Sequence, residues 1–224
     1  MKKQKSATLP LLFGLMTSLT MALPVLAGEK IGNGGGGWIC RNLDSTLSIR
    51  WVRLIDLYEA EIEFGLRTVT FENGNFFEVA RTLLLERLAP IAPRLHGEVA
   101  SNLLRIFEHL SPVEAELEVI PDADYRIRPR AQDCAGGKLE YAQIANNTLY
   151  GSTLLDRDII ASEKFSDADF AALLAHEAIY ATFRERFGDL NSVRTRRLVG
   201  LLFSRLSEDQ LRSEALKLLG SELN

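Results

Sequence analysis

The chain has 224 residues and a formal net charge of −4, because its 30 aspartates and glutamates outnumber its 26 lysines and arginines. This acidic balance argues against nucleic acid and anionic membrane surfaces as partners, since both repel negatively charged proteins. A peptide or protein partner remains open, and the composition does not identify one.

The first 27 residues have the pattern of a secretory signal peptide. Three lysines among the first five residues form a positive start, an apolar stretch covers residues 9–26, and Ala27 is the small residue before the cleavage site. Prolines and hydroxyl residues interrupt the stretch, which makes it a poor membrane span. Residues 1–27 are therefore predicted to be a signal peptide, and residues 28–224 a single globular domain in the periplasm or outside the cell. Without the three leader lysines the domain has 23 basic and 30 acidic side chains, a net charge of −7.

The chain has two cysteines, Cys40 and Cys134. In an exported protein such a pair predicts one disulfide, which would stabilise the fold by on the order of 4 kcal/mol through loop closure. The alternative is a pair of free buried thiols. Neither cysteine lies in a cluster with the spacing of metal ligands.

Glycines dominate residues 32–37, in which Gly32, Gly34 and Gly37 match the dinucleotide-binding pattern G-x-G-x-x-G. We predict no strand before this segment and no helix after it, so the match carries no nucleotide-binding signal. We expect a flexible start that leads into a short strand over residues 38–41.

The next elements follow from apolar periodicity. Alternation over residues 47–51 predicts a second strand, and residues 54–62 have the spacing of a helix that ends at Gly65. Two longer helices are predicted over residues 76–88 and 93–110, where prolines and a capping asparagine mark the boundaries.

Residues 113–120 and 125–130 alternate charged with other side chains, and they predict an antiparallel hairpin. The expected register brings three pairs face to face: Glu118 with Arg126, Glu116 with Arg128, and Glu114 with Arg130. Each pair would contribute only about 0.2–1 kcal/mol, but three in phase would define the register. We interpret these opposite charges as pairs that neutralise each other rather than as a row of arginines that binds an anion.

A strand is predicted over residues 139–145, and the longest helix follows it. Ser166 caps that helix and Gly188 ends it. Two more helices are predicted, over residues 192–205 and after Ser207. The fold is therefore predicted to be α+β, with a mostly helical body, a small antiparallel sheet and one central helix.

The central helix carries the best candidates for chemistry, His176 and Glu177, and Glu177 falls in the middle of its apolar stripe. A buried carboxylate is costly unless it is paired, protonated or near a metal. Glu177 would be a general base or would accept hydrogen bonds from a backbone turn or a buried arginine. His176 would be a metal ligand or a core histidine bonded to a polar group.

The segment 166–180, which contains His-Glu-Ala-Ile-Tyr, resembles the active-site helix of zincin-like metallopeptidases. In those enzymes the first histidine binds zinc, the glutamate is the general base, and a second histidine follows one turn later. Tyr180 stands in that second position here. The resemblance implies Glu177 as the catalytic residue, His176 and Tyr180 as metal ligands, and zinc as the cofactor, while no motif marks a third ligand.

Most of the predicted mature chain also resembles a group of exported bacterial proteins of unknown function. These proteins have a Gly-Asn-Gly-Gly run before a cysteine and carry the same His-Glu-Ala-Ile-Tyr segment. That resemblance implies export and brings no particular activity.

Three functions remain open. The tyrosine in the second ligand position favours a protein on a zincin-like scaffold that is not a standard peptidase. The alternative is a secreted metal-dependent hydrolase, with His176 as ligand and Glu177 as general base. The third is an interaction module that uses the predicted hairpin and the glycine-rich start as contact surfaces.

Overall fold

The structure is a computed structural model, and it describes five ranges of the chain, namely residues 30–44, 47–67, 75–120, 126–148 and 151–220. The predicted signal peptide and its cleavage site lie outside these ranges. The turn of the predicted hairpin also lies outside them.

Two small sheets contain the strands of the described ranges. The strands are β1 (Lys30–Asn33), β2 (Gly36–Asn42), β3 (Ile49–Leu54), β4 (Leu110–Val113), β5 (Gly137–Gln143), β6 (Ala145–Thr148) and β7 (Thr153–Asp156). One sheet is antiparallel with the order β3-β2-β5, and Trp38 in its middle strand lies between Arg53 and Tyr141. The other has the order β1-β6-β7-β4, and β4 is parallel to β7.

Helices form most of the remaining structure. They are α1 (Ile55–Phe64), α2 (Phe76–Leu83), α3 (Pro93–Glu108), α4 (Arg157–Ile160), α5 (Asp167–Phe187), α6 (Val193–Leu202) and α7 (Glu208–Leu219), with a π-helical turn after α2 (Leu84–Leu88) and a 3₁₀ turn before β5 (Ala131–Cys134). The predicted α+β class with a small antiparallel sheet is confirmed, whereas the second sheet was not predicted. Within the described ranges, no helix combines the length and the apolar character needed to cross a bilayer.

Helix α5 is central, as predicted. The Ser166 hydroxyl accepts a hydrogen bond from the Asp169 N–H at 3.1 Å, and Gly188 ends the helix in the left-handed conformation with φ of 72°. The helix packs against α1, α2, α3, α6 and β3, and all of residues 171–180 are buried. A polar side chain on this helix therefore has to find its partners inside the protein.

Asp169 fixes the start of α5 to the end of β3. Its Oδ1 accepts a hydrogen bond from the Leu54 N–H at 2.9 Å, and its Oδ2 lies 3.4 Å from a guanidinium nitrogen of Arg53. Burial raises the pKa of the Asp169 carboxyl, and Arg53 acts in the opposite direction. Because α1 begins at the residue after Leu54, this contact also sets where the first turn of α1 meets α5.

The predicted hairpin is wrong. Strand β4 ends at Val113 and pairs with β7, and residues 114–120 form no strand. The charged side chains have other partners, since Arg126 pairs with Glu63 of α1 at 2.8 Å and Glu114 pairs with Arg157. Alternation indicates an extended chain with one polar face, but it does not say which neighbour provides the opposite charge.

The glycine-rich segment is buried, so the expectation of a flexible start is wrong for its described part. Residues 34–37 have no room for side chains, because a Cβ atom on any of them would overlap a neighbour. The nearest atoms would be Ala145 O at 2.0 Å for Gly34, Leu173 Cδ1 at 2.3 Å for Gly35, Tyr141 Oη at 1.8 Å for Gly36 and Arg53 O at 2.7 Å for Gly37. The glycines therefore allow the backbone to pass between the two sheets and α5.

The predicted disulfide is confirmed. Cys40 of β2 is bonded to Cys134 in the 3₁₀ turn before β5, and both residues are buried. The bond closes a loop with a sequence separation of 94 residues and ties β2 to the segment that leads into its neighbour β5.

Replacing Cys40 and Cys134 together with serine should lower the free energy of unfolding by about 4 kcal/mol, because the unfolded chain regains the entropy of the open loop. Urea unfolding of the oxidised parent and of the double variant measures the difference. Equal midpoints with equal slopes would contradict the prediction.

Replacing Gly34 with alanine should lower the free energy of unfolding by about 3 kcal/mol, because the new methyl group would overlap a backbone carbonyl that cannot move aside. Gly97→Ala is the matched control, since Gly97 is in the exposed part of α3 with no atom within 4 Å of the new Cβ. That control should instead gain about 0.5–1 kcal/mol from lower backbone entropy in the unfolded chain. Urea unfolding of both variants provides the measurement. An unchanged free energy of unfolding for Gly34→Ala would contradict the prediction and show that the segment can move away from β6.

Candidate functional site

The three predicted site residues lie on the buried part of α5. The exposed fractions of His176, Glu177 and Tyr180 are 0%, 0% and 1%. Their polar atoms therefore depend on protein partners, and those partners indicate what the cluster can do.

Both carboxylate oxygens of Glu177 accept hydrogen bonds from distant parts of the chain. The Gly35 N–H donates to Oε1 with an N–O distance of 2.5 Å, and the Asn147 side-chain amide donates to Oε2 at 2.7 Å. The sequence left two roles open for Glu177, a general base or a carboxylate that accepts hydrogen bonds from a backbone turn or a buried arginine. The donors are a backbone N–H and an amide, while Arg194 of the following helix pairs with Asp189 at 2.5 Å.

The two donors are themselves held in place. The Gln143 side-chain amide donates to Gly34 O at 2.5 Å and to Ala145 O at 2.9 Å, which joins the glycine segment to the start of β6. Asn147 on β6 accepts a hydrogen bond at its Oδ1 from the Thr153 hydroxyl at 2.8 Å, so its amide nitrogen points to Glu177. The carboxylate thus receives one donor from β6 and one from the glycine segment that Gln143 and Ala145 hold in place.

Burial raises the pKa of the Glu177 carboxyl above its ordinary value. The neighbouring His176 and the hydrogen bonds from Gly35 and Asn147 act in the opposite direction. A raised carboxyl pKa suits a general base, and it equally follows from placing a structural carboxylate in a core.

His176 is bonded to an acid from α1. Its Nδ1 lies 2.7 Å from Asp56 Oδ1, and the exposed fraction of Asp56 is 1%. This contact joins the first turn of α1 to α5. A carboxylate on one ring nitrogen is also the arrangement that orients many metal-binding histidines.

Tyr180 lies one turn after His176, at the position of the second ligand in a zincin. The ring centroids of the two residues are 6.2 Å apart. The guanidinium carbon of Arg184, a further turn along the helix, is 5.7 Å from the centre of the Tyr180 ring. The three side chains form a row along one side of α5.

Among the residues that the structure describes, no three histidine, cysteine, aspartate or glutamate side chains come together in a group that could hold a metal ion. Neither His96 nor His109, the only other histidines, completes such a set with His176. These residues do not fit a zinc site with three such ligands. The assignment of His176 and Tyr180 as metal ligands and of Glu177 as catalytic base stays a prediction.

The sequence did not reveal Asp56, Gly35 or Asn147 as members of this cluster. Asp56 has the pattern of an acid that stabilises a helix N-terminus, and Asn147 is one of several polar residues in a turn-rich stretch. The glycine run was the one available signal, because consecutive glycines also mark a close approach of backbones.

The pairing of Glu177 with Asn147 can be tested by exchanging donor and acceptor. Glu177→Gln alone places an amide opposite the Asn147 amide and should lower the free energy of unfolding by about 1–3 kcal/mol. Adding Asn147→Asp should recover about 1–2 kcal/mol of that loss, because the introduced amide donates to the introduced carboxylate. Urea unfolding of the parent, both single variants and the double variant completes the cycle. Strictly additive losses would mean that the two side chains do not bond to each other.

Comparisons with protein-family models, curated proteins and solved structures found no match for this chain. No relative therefore supplies a role for His176 or Glu177.

Proposed function

We propose that this is an exported, non-catalytic binding protein on a scaffold with a zincin-like central helix. In this proposal His176 and Glu177 stabilise the fold, and the protein acts by binding rather than by hydrolysing a peptide bond. The observation that supports it is the engagement of both Glu177 oxygens by protein donors at zero exposure.

A standard peptidase needs a general base that water can reach, and Glu177 is enclosed. A general base in such an enzyme takes a proton from a water molecule that a metal ion and the substrate can also reach. Glu177 faces the N–H of Gly35 and the amide of Asn147, and neither of these groups can give up a proton at ordinary pH. Each carboxylate oxygen has a second acceptor site, but Glu177 is not exposed to solvent, so the core around it would have to open before a water molecule could reach the carboxylate.

Export is supported by the disulfide, because such bonds persist mainly in oxidising compartments outside the cytosol. The proposal places the protein in the periplasm or outside the cell. It retains the leader over residues 1–27 and the single domain over residues 28–224.

The competing proposal is a secreted metal-dependent hydrolase with an atypical ligand set. The observation that favours it is the hydrogen bond from His176 Nδ1 to Asp56, because metal-binding histidines commonly bond a carboxylate through their second nitrogen. That bond is equally expected of a histidine that links two helices in a core, so it supports a metal site less strongly than the enclosure of Glu177 supports a structural role.

Metal content separates the two proposals. The mature, oxidised protein should carry well under one equivalent of zinc after incubation with excess zinc and desalting. About one equivalent in the parent that is lost in Tyr180→Phe, a change that keeps the ring and removes only the phenol oxygen, would overturn the non-catalytic proposal. His176→Ala tests the other expected ligand in the same way, with the unfolding midpoint as a control for loss of structure.

A further inference from the structure

We propose that the cleft at the start of α7 binds a phosphate group. The cleft lies where the chain after α1, the π-helical turn after α2 and the α6–α7 connection meet, and its volume is about 360 Å³. This size lies at the lower end of the range for ligand pockets. The inference rests on the proposed binding role, for which it names the ligand class. The polar residues that line the cleft, among those that the structure describes, are Arg67, Arg87, Ser204, Arg205, Ser207 and Glu208.

A contact between two chain segments brings two of the arginines to this cleft. Leu66 and Ser204 pair in an isolated antiparallel β-bridge. Arg67 and Arg205 each follow one of the paired residues, and their N–H groups donate to carbonyls of the opposite segment at 2.9 and 3.0 Å. The main chain therefore holds both arginines at the cleft.

Main-chain carbonyl groups orient two of the guanidinium groups. Arg87 Nη2 donates to the carbonyls of Leu201 and Leu206, both at 3.2 Å. Arg205 Nε donates to the Leu66 carbonyl. Neither arginine pairs with a carboxylate among the described residues. A carbonyl is a neutral acceptor, so it orders a guanidinium but leaves the positive charge for an anion.

The cleft is positively charged in an acidic protein. Its charged lining residues in the described ranges are three arginines and Glu208, and three less one leaves a balance of +2. Arg67 lies 3.9 Å from Glu86, and Glu208 lies 3.8 Å from Arg212. Including these two neighbours adds one charge of each sign, so the balance remains +2. Because the whole chain has a net charge of −4, this region draws in anions that the rest of the surface repels.

The arginines of the cleft also repel one another. Burial lowers the pKa of Arg87 from its ordinary value, the charge of Arg67 lowers it further, and Glu86 acts in the opposite direction. An anion bound between the two guanidinium groups would replace this repulsion with attraction.

A phosphate group matches both the charge and the donors. At neutral pH it carries close to two negative charges and has three strong acceptor oxygens, which guanidinium groups bind through parallel hydrogen bonds. The Ser207 hydroxyl accepts from the Gln210 N–H and keeps its own hydrogen for a phosphate oxygen. The first turn of α7 adds the positive end of a helix dipole at the same place. A monocarboxylate would leave half of the positive balance without a partner.

The test is a titration of the mature, oxidised protein with inorganic phosphate, glycerol phosphate and acetate at constant ionic strength, followed by calorimetry or by NMR shifts. We expect saturable binding of at least one phosphate compound, about tenfold or more tighter than acetate, because the second charge makes a further charge-assisted contact. Tighter binding of inorganic phosphate would assign the free ion as the ligand, and tighter binding of glycerol phosphate would assign a phosphate ester.

Variants of the cleft identify the site. Arg67→Gln and Arg205→Gln should each weaken phosphate binding by about tenfold or more, as expected for the loss of a hydrogen bond to a charged group, and Arg205→Lys should retain part of the affinity. Arg81→Gln is the matched control, because Arg81 pairs with Glu78 on α2 and does not line the cleft.

Three results would overturn the inference. They are the absence of saturation by either phosphate compound, acetate binding as tightly as phosphate, and phosphate binding that both cleft variants retain. Unfolding midpoints show whether a loss of binding is a loss of structure. If Arg205→Gln lowers the midpoint, Arg67→Gln decides, because the Arg67 side chain makes only the loose ion pair with Glu86 among the described residues.

Zinc content measured on the same samples separates this inference from the proposed function. Stoichiometric zinc would contradict the non-catalytic role whatever the phosphate compounds do. A zinc-free protein that binds no phosphate would contradict the assignment of the cleft alone.

Discussion

The carboxylate of Glu177 lies in the middle of the longest helix with no exposure to solvent, and the surrounding structure has to compensate for it. An uncompensated ion in such a position costs several kcal/mol. The compensating donors come from Gly35 and Asn147, which are 142 and 30 positions away in the sequence. One side chain thereby sets where the glycine segment and the second sheet lie relative to α5, while the adjacent His176 does the same for α1 through Asp56.

Strand β2 is the element that this arrangement constrains most. At its start, the glycines allow the backbone to approach the carboxylate and the carbonyl groups of β6 and β3. At its other end, Cys40 is bonded to Cys134. Because β2 is the middle strand of the three-stranded sheet, contacts at both of its ends also hold β3 and β5. A glycine run that resembles a nucleotide-binding pattern in sequence is thus a packing feature in three dimensions.

Asn147 is bonded to the buried Glu177 and also lines a cleft beside α3 and α5. Its hydrogen bonds to Glu177 and Thr153 hold the amide in one orientation. Activity depends on which atoms reach solvent and substrate rather than on the scaffold, and in this protein both oxygens of Glu177 accept hydrogen bonds from protein donors. The Arg184 guanidinium lies over the ring of Tyr180, on the same helix as Glu177.

The sequence by itself determined the features that depend on residues close together in the chain. The cap at Ser166, the end of α5 at Gly188 and the burial of α5 follow from local spacing, and the pair of cysteines in a chain with an export signal favoured a disulfide over free thiols. Only the tertiary structure decided which groups meet across long separations: that Gly35 and Asn147 bond to Glu177, that Asp56 bonds to His176, and that Arg126 pairs with Glu63 instead of completing a hairpin. Contacts of this kind leave no periodic pattern in the sequence. A buried polar group needs a partner, and this need can be predicted from its burial and charge. Which partner it finds depends on how distant elements pack against each other.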